Sequence, residues 1–445
     1  MNNILKSVVT VGLASFLPVN SEANDKPNII YILTDDLGYG DLSCQGGKDI
    51  HTPNIDQLFN SGVRFTNFYT NCTVSSPTRA ALITGCYPDM VGVPGVIRTM
   101  AEDNWGYMNP EVITLPEMLK KAGYQTTLIG KWHLGLESPN LPNDQGFDFF
   151  HGFLGDMMED YWNHRRHGFN YMRLNKEEID PQGHATEIFS NWAKSYIVEN
   201  AGKKEPFFMY LAYNAPHFPI QPPEDWLSKV KKREPGINEI RAKTVALVEH
   251  LDFCIGQVIQ SLKESGEYEN TIIIFSSDNG GHLPSGATNG ELRGGKQDMY
   301  EGGIKVPACM VWPKKIPAKS VFSNLMLTMD VFPTLCDIAG VDINHRIDGI
   351  SMFPGLFQNS KMEDDRTVFF MRREGGLYGG LCYYAIRKGG FKLLHNSPYE
   401  ELQLFNIDKD PLEKNPLDDK VMLQKLKQEL SQHIRRSGAI PWQKQ

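Results

Sequence analysis

The chain has 445 residues, enough for one large domain or two of ordinary size, with the composition of a globular protein: 41% hydrophobic and 22% charged residues. A formal net charge of −8 argues against non-specific nucleic-acid binding, although a local cluster of cations can still hold an anionic substrate. Seven scattered cysteines with no CxxC pair argue against both a zinc site and a disulfide scaffold.

In chain order, residues 1–23 read as a secretory signal. One lysine precedes an apolar run from Ser7 to Val19, and Ser21-Glu22-Ala23 gives a small-x-small cleavage site. The run is too short to span a bilayer, and no cysteine follows it to accept a lipid. No other apolar stretch reads as a span, so the expectation is a periplasmic or secreted protein without a membrane anchor.

"NIIYIL" (28–33) reads as a buried strand, and "TPNIDQLFNSG" (52–62) as a helix ending in glycine. "TVSSPTRAALITG" (73–85) reads as a helix opened by Pro77, capped by Ser76 and stopped by Gly85, which leaves Ser75 in the preceding loop. Cys72 and Cys86 flank it, either as a bridge or, the favoured reading, as two buried thiols.

Further helices are expected over 114–123, 238–264 and 327–340, and further parallel strands over 125–129, 206–213, 271–276 and 307–312. This alternation predicts an α/β fold, with a large mixed, mostly parallel sheet sandwiched by helices. Near residue 365 the texture shifts to short strands separated by glycine pairs, then a polar helix over about 418–435. The expected division is therefore a catalytic α/β domain over 24–364 and, over 365–445, a small antiparallel sheet with one helix.

The informative residues follow the strands. "NIIYIL" runs into Asp35-Asp36, "QTTLI" into Lys131 and His133, "FFMYLAY" into His217, and "TIIIFS" into Asp278-Asn279. In open α/β sheets, sites form at the carboxyl ends of strands. Asp35, Asp36, Asp278 and Asn279 make an all-oxygen ligand set, which suits Ca²⁺ better than zinc, and better than Mg²⁺, which keeps several waters. Taken alone, "DNGG" reads equally well as a plain turn. Lys131, Arg79, Lys296 and a helix N-terminus supply the complementary positive charge for a tetrahedral anion.

At this point the residues resemble a known family. "SSPTRAALITG" is similar to the sulfatase signature. "DDLGYGD", "GKWHLG", "APH", "SDNGG", "GGK" and "EGG" resemble the other sulfatase blocks in the family's order. "DGIS" and the closing "RKGGFKLL…ELQLFNIDKDPLEKN" look like its C-terminal subdomain, so the resemblance spans nearly the whole mature chain.

The resemblance implies that Ser75 is the position converted to formylglycine (3-oxoalanine), whose hydrate attacks sulfur and carries a covalent sulfate ester. Serine there resembles bacterial sulfatases matured by an anaerobic sulfatase-maturating enzyme. It further implies calcium held by Asp35, Asp36, Asp278, Asn279 and residue 75. Arg79 and Lys131 would orient the diol and bind sulfate, and His133 would act as base in the elimination. His217 and Lys296 would contact the bridging oxygen, with His217 the general acid. Lys305 in "EGGIKVP" stands where the family pattern has Arg, a departure of small consequence.

The implied activity is hydrolysis of sulfate monoesters, most naturally exo-acting removal of O-sulfate from a carbohydrate such as a galactose or N-acetylgalactosamine 4- or 6-sulfate. Two other readings stand beside it: a phosphoester or phosphonate hydrolase of the wider alkaline phosphatase superfamily, and a catalytically inactive glycan-binding relative. For substrate contacts the sequence offers His164 and Arg165, in an aromatic and basic segment over 155–178, with Asp348, and Arg373 in a 371–384 segment that would form a second wall. That segment reads equally well as a solvated charged loop over packed aromatics.

Overall fold

Five strands run parallel side by side at the centre of a ten-stranded sheet, in the spatial order Thr271–Ser277, Asn28–Thr34, Phe207–Ala212, Gln125–Lys131 and Phe149–Phe153. This computed structural model describes residues 26–438, apart from 104–105, 359, 363–364 and 376–377. The expected signal segment 1–23 lies outside the described residues.

Asn28–Thr34, Phe207–Ala212 and Thr271–Ser277 are buried along their whole length because both faces are covered. Ile29, Tyr31 and Leu33 point to one face, packing with Phe208, Tyr210 and Leu128 under the helices Ser75–Thr84, Leu115–Lys121 and Val331–Ala339. Ile30 and Ile32 point to the other with Met209, Leu211, Ile273 and Phe275, under Pro53–Ser61, Ala185–Asn200 and Glu239–Glu264. The period of two along a strand thus feeds two cores, which is why these segments read as unbroken apolar runs. Glu239–Glu264 is long and apolar enough to cross a membrane by length and composition, contrary to the expectation that no further stretch would be. In this fold it is mostly buried against the sheet.

The expected strand at 307–312 is present as Ala308–Val311 but runs antiparallel to Thr271–Ser277. The chain reaches it through the long 278–307 segment, which is nearly all loop and turns the chain back. The sheet is completed on that side by Val63–Phe65 and Ser320–Phe322, and on the other by Met172–Leu174 and Glu177–Glu178.

A separate four-stranded antiparallel sheet is formed in order by Thr367–Arg373, Cys382–Lys388, Phe391–His395 and Gln403–Asn406. One face (Val368, Phe370, Ala385, Leu394, Phe405) packs on Tyr69, Ala81 and Met299. The other face is covered by Leu426 and Leu430 of the helix Lys420–Ser437. Between sheet and main body, the ammonium of Lys392 is buried between Glu301 (2.9 Å) and Glu413 (2.8 Å). All seven cysteines are free thiols, Cys72 and Cys86 among them.

Candidate active site

Because Asn28–Thr34 and Thr271–Ser277 are neighbours in parallel, Asp35-Asp36 and Asp278-Asn279 leave the sheet side by side. All four side chains are buried. The backbone N–H of Asp36 donates to Asp278 Oδ1 (3.2 Å), and Asn279 Nδ2 donates to Asp36 Oδ1 (2.8 Å). Ser75 Oγ donates to Asp35 Oδ1 at 3.0 Å and lies 3.4 Å from Asn279 Oδ1.

Three cations close around these carboxylates. Lys131 pairs with Asp35, Lys296 Nζ lies 2.8 Å from Asp36 Oδ2, and Arg79 donates to Asp278 Oδ2 at 2.9 Å. Burial pushes the Asp35 carboxyl up, but Lys131, His217 and Arg79 outweigh it and hold it well below the usual carboxylate range. Burial, reinforced by Asp35, pushes Asp278 up to about 7 despite Arg79. The possible metal-binding atoms of the cluster are carboxylate and amide oxygens, joined by an imidazole nitrogen: ligand atoms of Asp35, Asp36 and His217 lie within 4.8 Å of one another. That chemistry fits a hard divalent cation such as Ca²⁺.

Lys131 is placed by Gly130, which has φ +103° and stands where a Cβ would come within 1.9 Å of the Ala212 carbonyl oxygen. Two residues on, His133 takes φ +63°, and Asp36 takes φ +67°, left-handed backbone that is uncommon for residues with side chains. His133 is held by its N–H to the Leu154 carbonyl (3.2 Å) and by Nε2–H to the Ile97 carbonyl (2.9 Å). Its Nδ1 is buried without a hydrogen-bond partner. Burial, with Lys131 and Arg79 nearby, depresses its pKa far below the ordinary histidine value. It is a neutral imidazole with a free lone pair. His217 donates from Nδ1 to the Phe218 carbonyl (2.6 Å), which leaves Nε2 3.6 Å from Asp36 Oδ2. Burial and Lys296 lower its pKa to about 4.

The helix that carries Ser75 begins two residues earlier than the Pro77 start expected from sequence: it runs Ser75–Thr84, with Val74 at the N-cap and no side-chain cap. Ser76 is not the cap, because its hydroxyl accepts from the Ile97 N–H at 3.0 Å and ties the helix to the 91–98 loop. Ser75 is the first residue of the helix, not part of the loop before it.

A cavity of about 320 Å³ opens above this cluster, with Ser75, His133, His217 and Lys296 at its base. The four rim candidates from sequence are not brought to it. His164 is buried with Nε2 bonded to the Gly183 carbonyl (2.9 Å), and Arg165 forks onto Asp180 (both 2.9 Å). Asp348 accepts from the Tyr87 N–H (3.1 Å), and the Arg373 N–H bonds the Pro94 carbonyl (2.8 Å). None of the four lines the cavity. Lys305 lies away from it as well, 3.4 Å from Asn67 Oδ1. The walls come instead from Arg98, Asp156, Arg166, His282 and Tyr378, among others. Arg165 and Arg166 are adjacent in a short strand, so they face opposite ways, and register decides which one meets the cavity. Asp156, Met157, Arg166 and His167 lie in the 155–178 segment, and Glu374 and Tyr378 in 371–384, so the two segments offered from sequence do reach the cavity although the residues singled out in them do not.

A family model described as Sulfatase matches residues 27–341, and one described as N-sulphoglucosamine sulphohydrolase, C-terminal, matches 294–439. The chain is 33% identical over 377 residues to the human N-acetylgalactosamine-6-sulfatase, covering 79% of this chain and 69% of that protein. It is 27% identical over 530 residues to an N-acetylglucosamine-6-O-sulfatase of Bacteroides thetaiotaomicron, covering 97% and 89%. The crystal structure of Ps i-CgsB in complex with k-i-k-neocarrahexaose superposes with a TM-score of 0.86 at 33% identity, covering 94% of this chain and 95% of that one. A serine at a helix start set against a buried acidic cluster, on this fold and with these matches, has one interpretation: the chain belongs to the sulfatase family and is a sulfuric ester hydrolase.

Proposed function

We propose that this enzyme removes O-sulfate from a carbohydrate, acting from a chain end on a residue such as galactose or N-acetylgalactosamine 4- or 6-sulfate. The observation that carries the reading is the placement of Ser75 Oγ 3.0 Å from Asp35, at the base of a cavity that also presents His133, His217 and Lys296. The sugar class is supported by two relatives named as N-acetylhexosamine 6-sulfatases and by a structural neighbour in complex with k-i-k-neocarrahexaose. A cavity of about 320 Å³ lies at the small end of ligand sites (roughly 300–1,000 Å³), which suits one sulfated sugar residue better than a length of polymer.

Asp35, Asp36, Asp278 and Asn279 would hold Ca²⁺, which when bound offsets the carboxylate charge and acidifies a hydroxyl on residue 75. Ser75 would be converted to formylglycine by an anaerobic sulfatase-maturating enzyme, because an unassisted serine hydroxyl is a weak nucleophile. Arg79 and Lys131 would bind and orient the sulfate oxygens. The unpartnered Nδ1 of His133 would accept a proton from residue 75. His217 and Lys296 would contact the bridging oxygen, with His217 the general acid for the leaving alcohol. Export to the periplasm or beyond, directed by residues 1–23 and with no membrane anchor, completes the proposal.

The test is a mass spectrum of the tryptic peptide Phe65–Arg79 from protein co-produced with such a maturation enzyme, coupled to sulfate release from a panel of sulfated sugars. Loss of two hydrogens at Ser75 together with sulfate release supports the proposal. Unmodified Ser75, with the maturation enzyme active on a control, removes the nucleophile from it.

A further inference from the structure

The groups at the base of the cavity account for recognition of the sulfate, and they leave a carboxylate in the wall unexplained. Asp156 is only 8% exposed and lines the cavity, where a negative charge works against an anionic substrate. It is held there deliberately. The Phe149–Phe153 strand is the fifth parallel strand, so its loop emerges at the same edge as Lys131 and His133. The Leu154 carbonyl, two residues before Asp156, accepts the His133 N–H and fixes the loop relative to the base of the cavity.

Arg166 grips the carboxylate in a fork, Nε to Oδ1 at 2.9 Å and Nη2 to Oδ2 at 3.1 Å, and the Met157 N–H adds a bond to Oδ1 at 2.8 Å. Arg166 Nη1 turns to Glu159 Oε1 at 3.1 Å. Two carboxylates therefore compensate one guanidinium. Across the cavity, Arg98 is likewise bonded to Glu374 at 2.8 Å. Neither arginine stands as an uncompensated cation for a second sulfate or a uronate.

What the pair does offer is hydrogen bonding. Asp156 Oδ2 accepts one bond and keeps acceptor capacity, and each terminal nitrogen of Arg166 retains a further N–H. An acceptor beside fixed donors matches a hydroxyl, which both gives and takes a hydrogen bond, and mismatches a sulfate, which only takes. We propose that Asp156 and Arg166 are specificity-determining residues that read a free hydroxyl next to the sulfated carbon. The substrate then carries a single sulfate on that sugar, and a second sulfate at the neighbouring position is excluded. The proposal rests on the carbohydrate reading above and narrows it.

The experiment measures kcat/KM on N-acetylgalactosamine 6-sulfate, its 4,6-disulfate, the 4-deoxy analogue of the monosulfate, and 4-nitrophenyl sulfate, which has no sugar hydroxyl. Wild type, Asp156→Ala and Asp156→Asn are compared after maturation. The wild type is expected to favour the monosulfate over both the disulfate and the deoxy sugar by roughly 10- to 100-fold, the range of a hydrogen bond to a charged group. Asp156→Ala is expected to lose that preference, its ratio of monosulfate to aryl sulfate kcat/KM falling roughly 10- to 100-fold, and to melt lower because Arg166 loses its partner. Asp156→Asn, which removes the charge and keeps the shape, is expected to gain on the disulfate relative to the monosulfate.

Unchanged substrate ratios in both variants would overturn the proposal, as would a wild type that takes the disulfate equally well. Equal losses on sugar and aryl sulfates would also overturn it, since that marks a structural role. Hydrolysis of the aryl sulfate but of no sugar sulfate by the wild type would overturn the carbohydrate reading itself.

Discussion

Arg79 Nη2 donates to Asp278 Oδ2 at 2.9 Å with both side chains fully buried, so a residue on the helix that starts at Ser75 is tied to the end of the Thr271–Ser277 strand. The same guanidinium lies 3.6 Å from Asp35. Removing one member of a buried pair leaves the other uncompensated, at a cost of about 3–5 kcal/mol. Arg79→Ala is therefore expected to destabilise the fold by that order. Urea unfolding monitored by circular dichroism checks it, and a loss under about 1 kcal/mol would contradict the buried-pair account.

Ser75 contributes little to folding, since its hydroxyl makes a single short bond, to Asp35. Ser75→Ala should leave the unfolding midpoint within about 1 kcal/mol of wild type and abolish sulfate release. Retained turnover in the variant would remove residue 75 as nucleophile.

His184 and His250 pack at 4.8 Å between ring centroids, in the core beneath Ala185–Asn200 and Glu239–Glu264. Burial, followed by His250, lowers the His184 pKa to about 4, and burial also lowers His250 to about 4. In the unfolded chain both titrate near 6.5, so between pH 6.5 and about 4 the unfolded state binds more protons than the folded one. Stability contributed by these rings is full above pH 6.5 and is lost as pH falls toward 4. His184 Nδ1 accepts the Thr186 N–H at the helix start, a bond that protonation there would break. Unfolding free energies at pH 7, 6 and 5 should fall more steeply for wild type than for His184→Gln; parallel slopes would refute this origin.

The carboxylates of Asp35, Asp36 and Asp278 meet only in the folded chain, so a calcium ion held there would stabilise the fold. Saturation at 100 times the dissociation constant would add about 2.7 kcal/mol by mass action. Dialysis against a calcium chelator should lower the melting temperature and stop turnover, and added Ca²⁺ should restore both. A melting temperature indifferent to calcium would argue against the metal assignment.

Lys392 separates two buried carboxylates where the C-terminal sheet meets the main body. Lys392→Met should cost about 3–5 kcal/mol, because Glu301 and Glu413 are left facing each other. A double variant that also carries Glu413→Gln should recover part of the loss, and a thermal melt distinguishes the two.

Much of the site was legible in the sequence for a local reason. A strand buried on both faces is a continuous apolar run, and the polar residues that follow it must lie at its carboxyl end. Asp35, Lys131, His217 and Asp278 could therefore be grouped before any contact was known. The helix after Val74 carried its own punctuation in Pro77 and Gly85, so its existence was plain, although its first residue and the partner of Ser76 were not. Ser76 bonds the Ile97 N–H, a group 21 positions away with no signature in the chain.

The same limit explains the rest. Ala308–Val311 is apolar whichever way it runs, and only the path of the 278–307 segment sets it antiparallel. Arg165 and Arg166 are indistinguishable by composition, and strand register sends one to Asp180 and the other to Asp156 in the cavity wall. Sequence by itself determined which segments are buried and which chemistry they deliver, because burial and periodicity are local. Only the tertiary structure decided which charges meet, because pairing between distant segments depends on register and direction, and those are settled when the chain packs.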